Sequence, residues 1–200
     1  ITVLAEDGAG TTTYSVTMTR AEALALALAT PSVITTANQE AYGLSGTCNM
    51  AGVSVVVTLA SGSASASTSA AACNDGTWSA TADASDLPDG TVTVSATGTT
   101  TLETNSVSAS VNKDTTGPTV SVPANITVDA ASADGTAASN ATIVAFLQEA
   151  SAADATDGSV AVTNDAPLVF PVGPTTVTFS ATDSLGNVGS NTAVVTVEDQ

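Results

Sequence analysis

Residues 91–97 read Thr-Val-Thr-Val-Ser-Ala-Thr, with an apolar side chain at every second position, and this stretch decides the fold. Successive side chains of a β-strand point to opposite faces, so the pattern predicts a strand with one face in a core and one in water. The same alternation recurs at Val107, Ala109 and Val111, at Val177, Phe179 and Ala181, and at Ala193, Val195 and Val197. The chain is therefore predicted to be all-β.

Turn residues separate these predicted strands at short intervals. They are Asp75-Gly76, Pro88-Asp89-Gly90, Asp157-Gly158, Pro171-Val172-Gly173-Pro174 and Leu185-Gly186-Asn187. Short strands joined by such turns are typical of an immunoglobulin-like β-sandwich of roughly 100 residues. Boundaries fall near Thr30-Pro31 and at residues 113–118, where Pro118 favours an extended chain. We expect tandem sandwiches over residues 31–116 and 117–200, joined by a short linker.

The charge balance argues against several partners. The formal net charge is −17, from 19 acidic and only 2 basic residues. Nucleic acid and anionic membrane surfaces are attracted by Lys and Arg, so neither is an expected partner. The sequence contains no run of 18 or more apolar residues, so it predicts no membrane-spanning segment. Residues 1–20 lack the basic start and apolar block of a signal peptide, so the chain reads as a mature protein or as a piece of a larger one.

Catalysis is not expected. The sequence has no His, one Lys and one Arg, so it offers no Ser-His-Asp or Cys-His site. The patterns HExxH, Walker A and GxSxG do not occur either. Paired carboxylates can hydrolyse glycosides, but sugar subsites usually contain aromatic residues, which make up 3% of this chain. We predict that the protein is not an enzyme.

Residues 1–30 do not fit either sandwich. Residues 1–6 and 12–19 predict a hairpin around Asp7-Gly8-Ala9-Gly10, and an alternating run of leucines follows it. An isolated two-stranded hairpin is marginal in water. We therefore expect its apolar side chains to contact a neighbouring module or a second copy of the chain. This predicted assembly interface comprises Ile1, Val3, Tyr14, Val16, Met18, Leu24, Leu26 and Leu28.

One helix is predicted, over residues 143–150. Ile143, Phe146, Leu147 and Ala150 recur at helical spacing. Asn140 or Thr142 is the expected cap at its start.

Three motifs in residues 118–199 resemble the hyalin repeat (HYR) family. They are Val122-Pro123-Ala124-Asn125-Ile126-Thr127-Val128, Phe170-Pro171-Val172-Gly173-Pro174-Thr175-Thr176-Val177 and Ala181-Thr182-Asp183-Ser184-Leu185-Gly186-Asn187. The resemblance implies an immunoglobulin-like fold associated with extracellular adhesion.

Residues 31–116 resemble a bacterial Ig-like (Big) module of large surface adhesins. The motifs are Gly46-Thr47-Cys48, Gly76-Thr77-Trp78-Ser79-Ala80, Leu87-Pro88-Asp89-Gly90-Thr91-Val92 and Asn112-Lys113-Asp114-Thr115-Thr116-Gly117-Pro118. The family's Asp-x-x-Gly-Asn turn before the last strand is missing, because residues 99–105 lack Gly-Asn. Residues 1–7 and 13–20 are similar to the closing hairpin of a cadherin-like β-sandwich, which would make residues 1–30 part of a truncated module.

These resemblances imply a structural role outside the cell, either secreted or on the cell surface. Repeated modules would form the stalk of a bacterial adhesin, or the subunit of a filament in which residues 1–29 donate strands to a neighbour. The alternative function is a binding module that recognises a protein or glycan through its loops. An exported chain favours a disulfide between Cys48 and Cys73 over a metal-binding pair, and two buried free thiols remain the other reading.

Acidic residues at the linker and in loops raise the possibility of a calcium ion. Ca²⁺ takes six to eight oxygen ligands from carboxylates and carbonyls. The candidate ligands are Asp114, Asp154, Asp157, Asp183 and Asn187. The other interpretation is ordinary turns whose side chains bond their own backbone, since no EF-hand or RTX spacing is present.

Overall fold

The protein folds as two β-sandwiches in a computed structural model that describes residues 22–199 and, before them, the backbone of two short strands. These strands, β1 (Thr2–Val3) and β2 (Tyr14–Ser15), pair antiparallel in a sheet of their own. Their pairing agrees with the predicted hairpin.

The first sandwich is built from eight strands in two sheets. The strands are β3 (Leu26–Leu28), β4 (Tyr42–Cys48), β5 (Ser54–Ser61), β6 (Ala64–Ser67), β7 (Ala71–Ala72), β8 (Thr77–Ala82), β9 (Gly90–Thr99) and β10 (Thr104–Lys113). One sheet has the order β3-β4-β8 and the other the order β10-β9-β5-β6, with β7 paired to β5. A 3-10 turn, η1 (Gln39–Ala41), precedes β4.

The alternation in β9 places its apolar side chains between these two sheets. Val92, Val94 and Ala96 are fully buried. Antiparallel pairing sets Val92 opposite Val111 on β10, so inward residues of the two strands share one face. The strand predicted from residues 91–97 is confirmed.

The second sandwich is built from nine strands and one helix. The strands are β11 (Thr119–Ser121), β12 (Ile126–Asp129), β13 (Thr136–Ala137), β14 (Ser151–Asp154), β15 (Gly158–Val160), β16 (Val162–Asn164), β17 (Val169–Phe170), β18 (Gly173–Thr182) and β19 (Val188–Glu198). The sheet orders are β11-β14-β15 and β12-β19-β18-β16, and β13 pairs with β17.

Helix α1 (Ala141–Glu149) closes one side of this second core. The Asn140 side chain accepts a hydrogen bond from the Thr142 amide at 3.0 Å, as a helix cap does. Phe146 is buried and meets Phe179 edge to face, with ring centroids 5.8 Å apart. The predicted helix is therefore confirmed, with Asn140 as its cap.

Each sandwich has a separate hydrophobic core, one between residues 24 and 111 and one between residues 120 and 197. The fold is all-β, with tandem immunoglobulin-like sandwiches joined by a short linker, as predicted. The expected start of the first sandwich at residue 31 is wrong. Strand β3 pairs with β4, and Leu24 and Leu26 lie in the first core, so this sandwich begins before Leu24.

Candidate metal site at the joint between the sandwiches

The linker leaves the first sandwich at the end of β10 and stays bonded to it. Ile34 and Lys113 form a parallel bridge, and the Asp114 amide donates to the Ile34 carbonyl at 2.9 Å. On the far side, Gly117 lies against the backbone of Val188 and Gly189, where a side-chain carbon would clash. The linker is therefore packed on both sandwiches.

Four residues that we call the clasp fix the linker to the first sandwich. They are Asp89, Lys113, Thr115 and Thr116. The Asp89 carboxylate accepts hydrogen bonds from the Thr115 amide (3.1 Å) and hydroxyl (2.9 Å) and from the Thr116 hydroxyl (2.7 Å). The Lys113 ammonium is buried, donates to the Leu87 carbonyl at 2.7 Å and lies 3.4 Å from Asp89. Burial alone would raise the pKa of Asp89, but the bonds from Thr116 and Thr115 and the Lys113 charge lower it.

Three carboxylates from distant parts of the chain meet beside the clasp. Asp114 follows β10, Asp154 ends β14 and Asp183 follows β18, and one oxygen of each carboxylate lies within 4.8 Å of the other two. Asp114 and Asp183 are buried and Asp154 is half-buried. Three negative charges at this separation repel one another unless a cation or a proton intervenes.

Asp114 is the residue whose environment is least satisfied. Its side chain is 2% exposed, and no hydrogen bond from the described part of the chain reaches its Oδ2 atom. Burial raises the pKa of Asp114, and the charges of Asp154 and Asp183 raise it further, while Thr156 and Thr116 act in the opposite direction. A buried carboxylate oxygen with no donor is costly, so this atom would be stabilised by a cation or by a proton.

The other two candidate ligands support the loops that carry Asp154 and Asp183. Asp157 accepts from the Ser184 hydroxyl at 3.0 Å and from the Ser184 amide, which ties the two loops together. Asn187 donates to both Asp183 oxygens, from its amide at 2.8 Å and its side chain at 2.7 Å. Burial alone would raise the pKa of Asp183, but the hydrogen bonds from Asn187, Leu185 and Gly186 lower it.

Asn187 also reaches across the joint. Its Oδ1 atom accepts a hydrogen bond from the Thr36 hydroxyl of the first sandwich at 3.0 Å. The structure thus brings three of the five predicted ligands together and uses Asp157 and Asn187 to hold their loops.

The donor set fits Ca²⁺. Its three carboxylates are hard oxygen ligands, and Ca²⁺ tolerates an irregular arrangement of six to eight oxygens better than the smaller Mg²⁺ does. A cleft of about 250 Å³ opens at the joint, lined by Asp89, Asp114, Asp154 and Thr156 among others. This space is large enough for water molecules to complete a coordination shell.

Two of these features were missed from sequence, namely the buried Lys113 and its partner Asp89. Lys113 lies in the boundary predicted at residues 113–118, yet it continues the inward alternation of Val107, Ala109 and Val111 by one more step. A lysine at a core position needs a partner, and that signal points to a nearby acid.

Cys48 and Cys73 form a disulfide with Cα atoms 6.3 Å apart. The predicted pairing is confirmed. Trp78 lies nearby in the core, and its indole nitrogen donates to the Ala27 carbonyl at 3.2 Å, over the surface of Gly46. These contacts hold β3 and β8 against the middle strand of their sheet.

The predicted assembly interface is wrong for its three leucines. Leu24 and Leu26 are buried in the first core, and Leu28 is half-buried against it. The Leu24 amide donates to Glu103 at 2.6 Å, so this segment is tied to its own sandwich. Ile1, Val16 and Met18, and the side chains of Val3 and Tyr14, lie outside the described residues.

Several solved structures resemble this chain at low identity. An adhesin described as Ca²⁺-stabilised, which helps an Antarctic bacterium bind ice, is 20% identical with a TM-score of 0.43; the match covers 100% of this chain and 56% of that one. A second bacterial ice-binding adhesin is 22% identical over 89% and 65%, with a TM-score of 0.43. Protocadherin gammaB7 is 14% identical over 88% and 51%, with a TM-score of 0.40.

The chain therefore spans about half the length of the Antarctic adhesin and protocadherin structures and about two thirds of the second adhesin structure. No curated protein matches the sequence. Within the described residues, no helix has the length and apolar character needed to cross a bilayer. One family match covers the second sandwich and the clasp lysine: residues 113–197 match the HYR domain.

Proposed function

We propose that this chain is a structural, non-enzymatic segment of a bacterial cell-surface adhesin, in which sandwich modules joined end to end form a stalk. The observation that carries this proposal is the joint. The linker carboxylate of Asp114 meets two carboxylates of the second sandwich there. The linker is bonded to Asp89 of the first sandwich, and a hydrogen bond between Thr36 and Asn187 joins the two sandwiches directly. A stalk needs joints that resist bending, and a freely jointed pair would leave the linker solvated.

Calcium at this joint is part of the same proposal. Asp114 comes from the linker, whereas Asp154 ends β14 and Asp183 follows β18 in the second sandwich, so a bound Ca²⁺ would tie the linker to that sandwich. The ion also compensates the mutual repulsion of the carboxylates and supplies the partner that Asp114 Oδ2 lacks.

An extracellular location fits these features. A disulfide persists in oxidising compartments, and millimolar Ca²⁺ occurs outside cells. The HYR match of the second sandwich and the net charge of −17, which keeps an exposed chain soluble, support the same location.

Assembly through the N-terminal hairpin is a variant of this function. β1 and β2 pair only with each other among the described strands, and such a hairpin gains stability by joining a larger sheet. We expect that sheet to belong to an adjoining module or to another copy, which would produce a filament. Deleting residues 1–21 spares β3, so loss of oligomers from the deleted chain in electron micrographs supports the variant, and unchanged oligomers contradict it.

The melting temperature of the full chain tests the calcium joint. A ligand that binds only the folded state stabilises it by about 2.7 kcal/mol at 100 times its Kd. We expect millimolar Ca²⁺ to raise the melting temperature above that in chelator, and Asp114→Asn to remove the rise. Identical melting curves with and without Ca²⁺ would reject the ion. Reproducible binding of a glycan or protein on an array would favour a recognition module instead.

A further inference from the structure

We propose that Asp89 of the first sandwich is a positioning residue for the divalent cation, although it is not one of the clustered carboxylates. Through the clasp it holds Asp114 where Asp154 and Asp183 can share an ion with it. This inference rests on the proposed calcium joint, and it assigns the first sandwich an active part in metal affinity.

The linker around Asp114 is immobilised residue by residue. Lys113 is anchored inside the first sandwich, and Thr115 and Thr116 are both bonded to the Asp89 carboxylate. The backbone amide of Asp114 itself is bonded to Ile34. Asp114 therefore lies between anchored neighbours, and its side chain is directed into the carboxylate cluster.

The second sandwich preforms the other half of the site without help from the clasp. The Asp154 carboxylate accepts from the amides of Thr156 (2.8 Å) and Asp157 (3.0 Å), which shapes the turn after β14. Asp157 then binds Ser184 in the loop that carries Asp183. Two ligands are thus fixed by one sandwich, while the third depends on the linker.

Asp114 supplies the ligand oxygen that has no other partner in the described chain, so the position of Asp114 strongly affects the affinity for the ion. Releasing the linker would allow Asp114 to turn toward water. Part of the binding free energy of the ion would then be spent on reordering Asp114. Residues that orient metal ligands through hydrogen bonds typically change metal affinity by about 10- to 100-fold. The clasp orients Asp114 in this way, through its hydrogen bonds to the linker residues that follow Asp114.

Calcium titration of the full chain by calorimetry tests this assignment. Asp89→Val, which removes every hydrogen bond to Thr115 and Thr116, is expected to weaken Ca²⁺ binding about 10-fold or more. Asp89→Asn keeps one of the two acceptor oxygens, so part of the clasp is retained, and it is expected to weaken binding less than Asp89→Val. Asp134→Asn, in an exposed loop of the second sandwich, removes one negative charge away from the clasp and should leave affinity within about 2-fold of wild type.

The comparison of Asp89→Val with Asp89→Asn separates positioning from charge. Equal losses from both would show that Asp89 acts only through its charge and would overturn the inference. Thr116→Val removes the 2.7 Å hydroxyl bond from an exposed residue and provides a second variant that is expected to fold. It should weaken Ca²⁺ binding while leaving the melting temperature in chelator within a few degrees.

Failure of the positioning role of Asp89 can be distinguished from failure of the calcium joint. If Asp114→Asn abolishes binding but Asp89→Val and Thr116→Val bind like wild type, the positioning role is wrong and the calcium joint stands. If the wild-type chain binds no Ca²⁺, both are wrong.

Discussion

Each sandwich has an equivalent turn at one end, and the residues in the two turns differ in polarity. Leu87-Pro88-Asp89-Gly90 leads into β9, and Phe170-Pro171-Val172-Gly173 leads into β18. Leu87 and Phe170 are buried, and Gly90 and Gly173 have φ angles of 115° and 104°, which favour glycine. The turns are structural equivalents, yet the third position is an acid in the first sandwich and valine in the second.

The position facing each glycine differs in the same way. Gly90 pairs with Lys113 and Gly173 pairs with Val197, and both partners are buried. At the joint, a lysine and an aspartate replace two valines, and the resulting polar pair holds the linker. At the far end, Val172 stays exposed, with Leu168 and Val169 nearby in sequence also exposed. One scaffold thus accommodates a polar linker attachment or an apolar end.

Placing a lysine at the second position should have the largest effect. Val197→Lys puts a cation at a buried site without an acid beside it, so we expect a loss of about 3–5 kcal/mol in the unfolding free energy of the second sandwich. Hydrogen exchange of β18 and β19 measures it. Adding Val172→Asp recreates the pair and should recover part of that loss. A double variant no more stable than the single one would show that the two turns are not equivalent.

The disulfide is expected to stabilise only the first sandwich. Replacing Cys48 and Cys73 with Ala should lower its unfolding free energy by about 2–5 kcal/mol, because the bridge restricts the unfolded chain. Trp78 is the single tryptophan and lies in this sandwich, so its fluorescence during urea unfolding reports the change. Equal destabilisation of the second sandwich by hydrogen exchange would mean that the two cores are coupled.

Removing the helix cap is expected to cost the second sandwich about 1 kcal/mol. Asn140→Ala deletes the bond to the Thr142 amide. Asn140→Ser retains an acceptor at the cap and serves as the matched control. Hydrogen exchange of α1 should accelerate in the alanine variant alone. The cap has no energetic role if both variants exchange at the wild-type rate.

Acid should weaken the clasp with a definite sign. The pKa of Asp89 is lowered below its ordinary value of 3.8, so the folded state favours the ionised form. Its contribution is present above about pH 4 and is lost as the pH falls through the lowered pKa. The stability difference between wild type and Asp89→Asn, followed by Trp78 fluorescence, should therefore shrink below pH 4. A difference that grows toward low pH would contradict the lowered pKa.

Local patterns predicted the long elements, and long-range placement limited the rest. Period-two alternation identified β9, β10, β18 and β19, and helical spacing with Asn140 identified α1. The leucines of residues 24–28 alternate as a strand requires, but their partner β4 lies some twenty residues away, and the pattern does not identify that partner. The acidic loops and linker predict Asp114, Asp154 and Asp183 as candidate ligands, but whether the three meet depends on how the second sandwich packs against the linker.

Small-angle X-ray scattering tests most directly the claim that a cation stiffens the joint. The full chain should have one well-defined maximum dimension in millimolar Ca²⁺ and a broader distribution of distances in chelator, because the linker then loses its hold on the second sandwich. Asp114→Asn should give the broad distribution in both conditions. Identical wild-type curves with and without Ca²⁺, or an Asp114→Asn chain that still responds to Ca²⁺ as wild type does, would contradict the account.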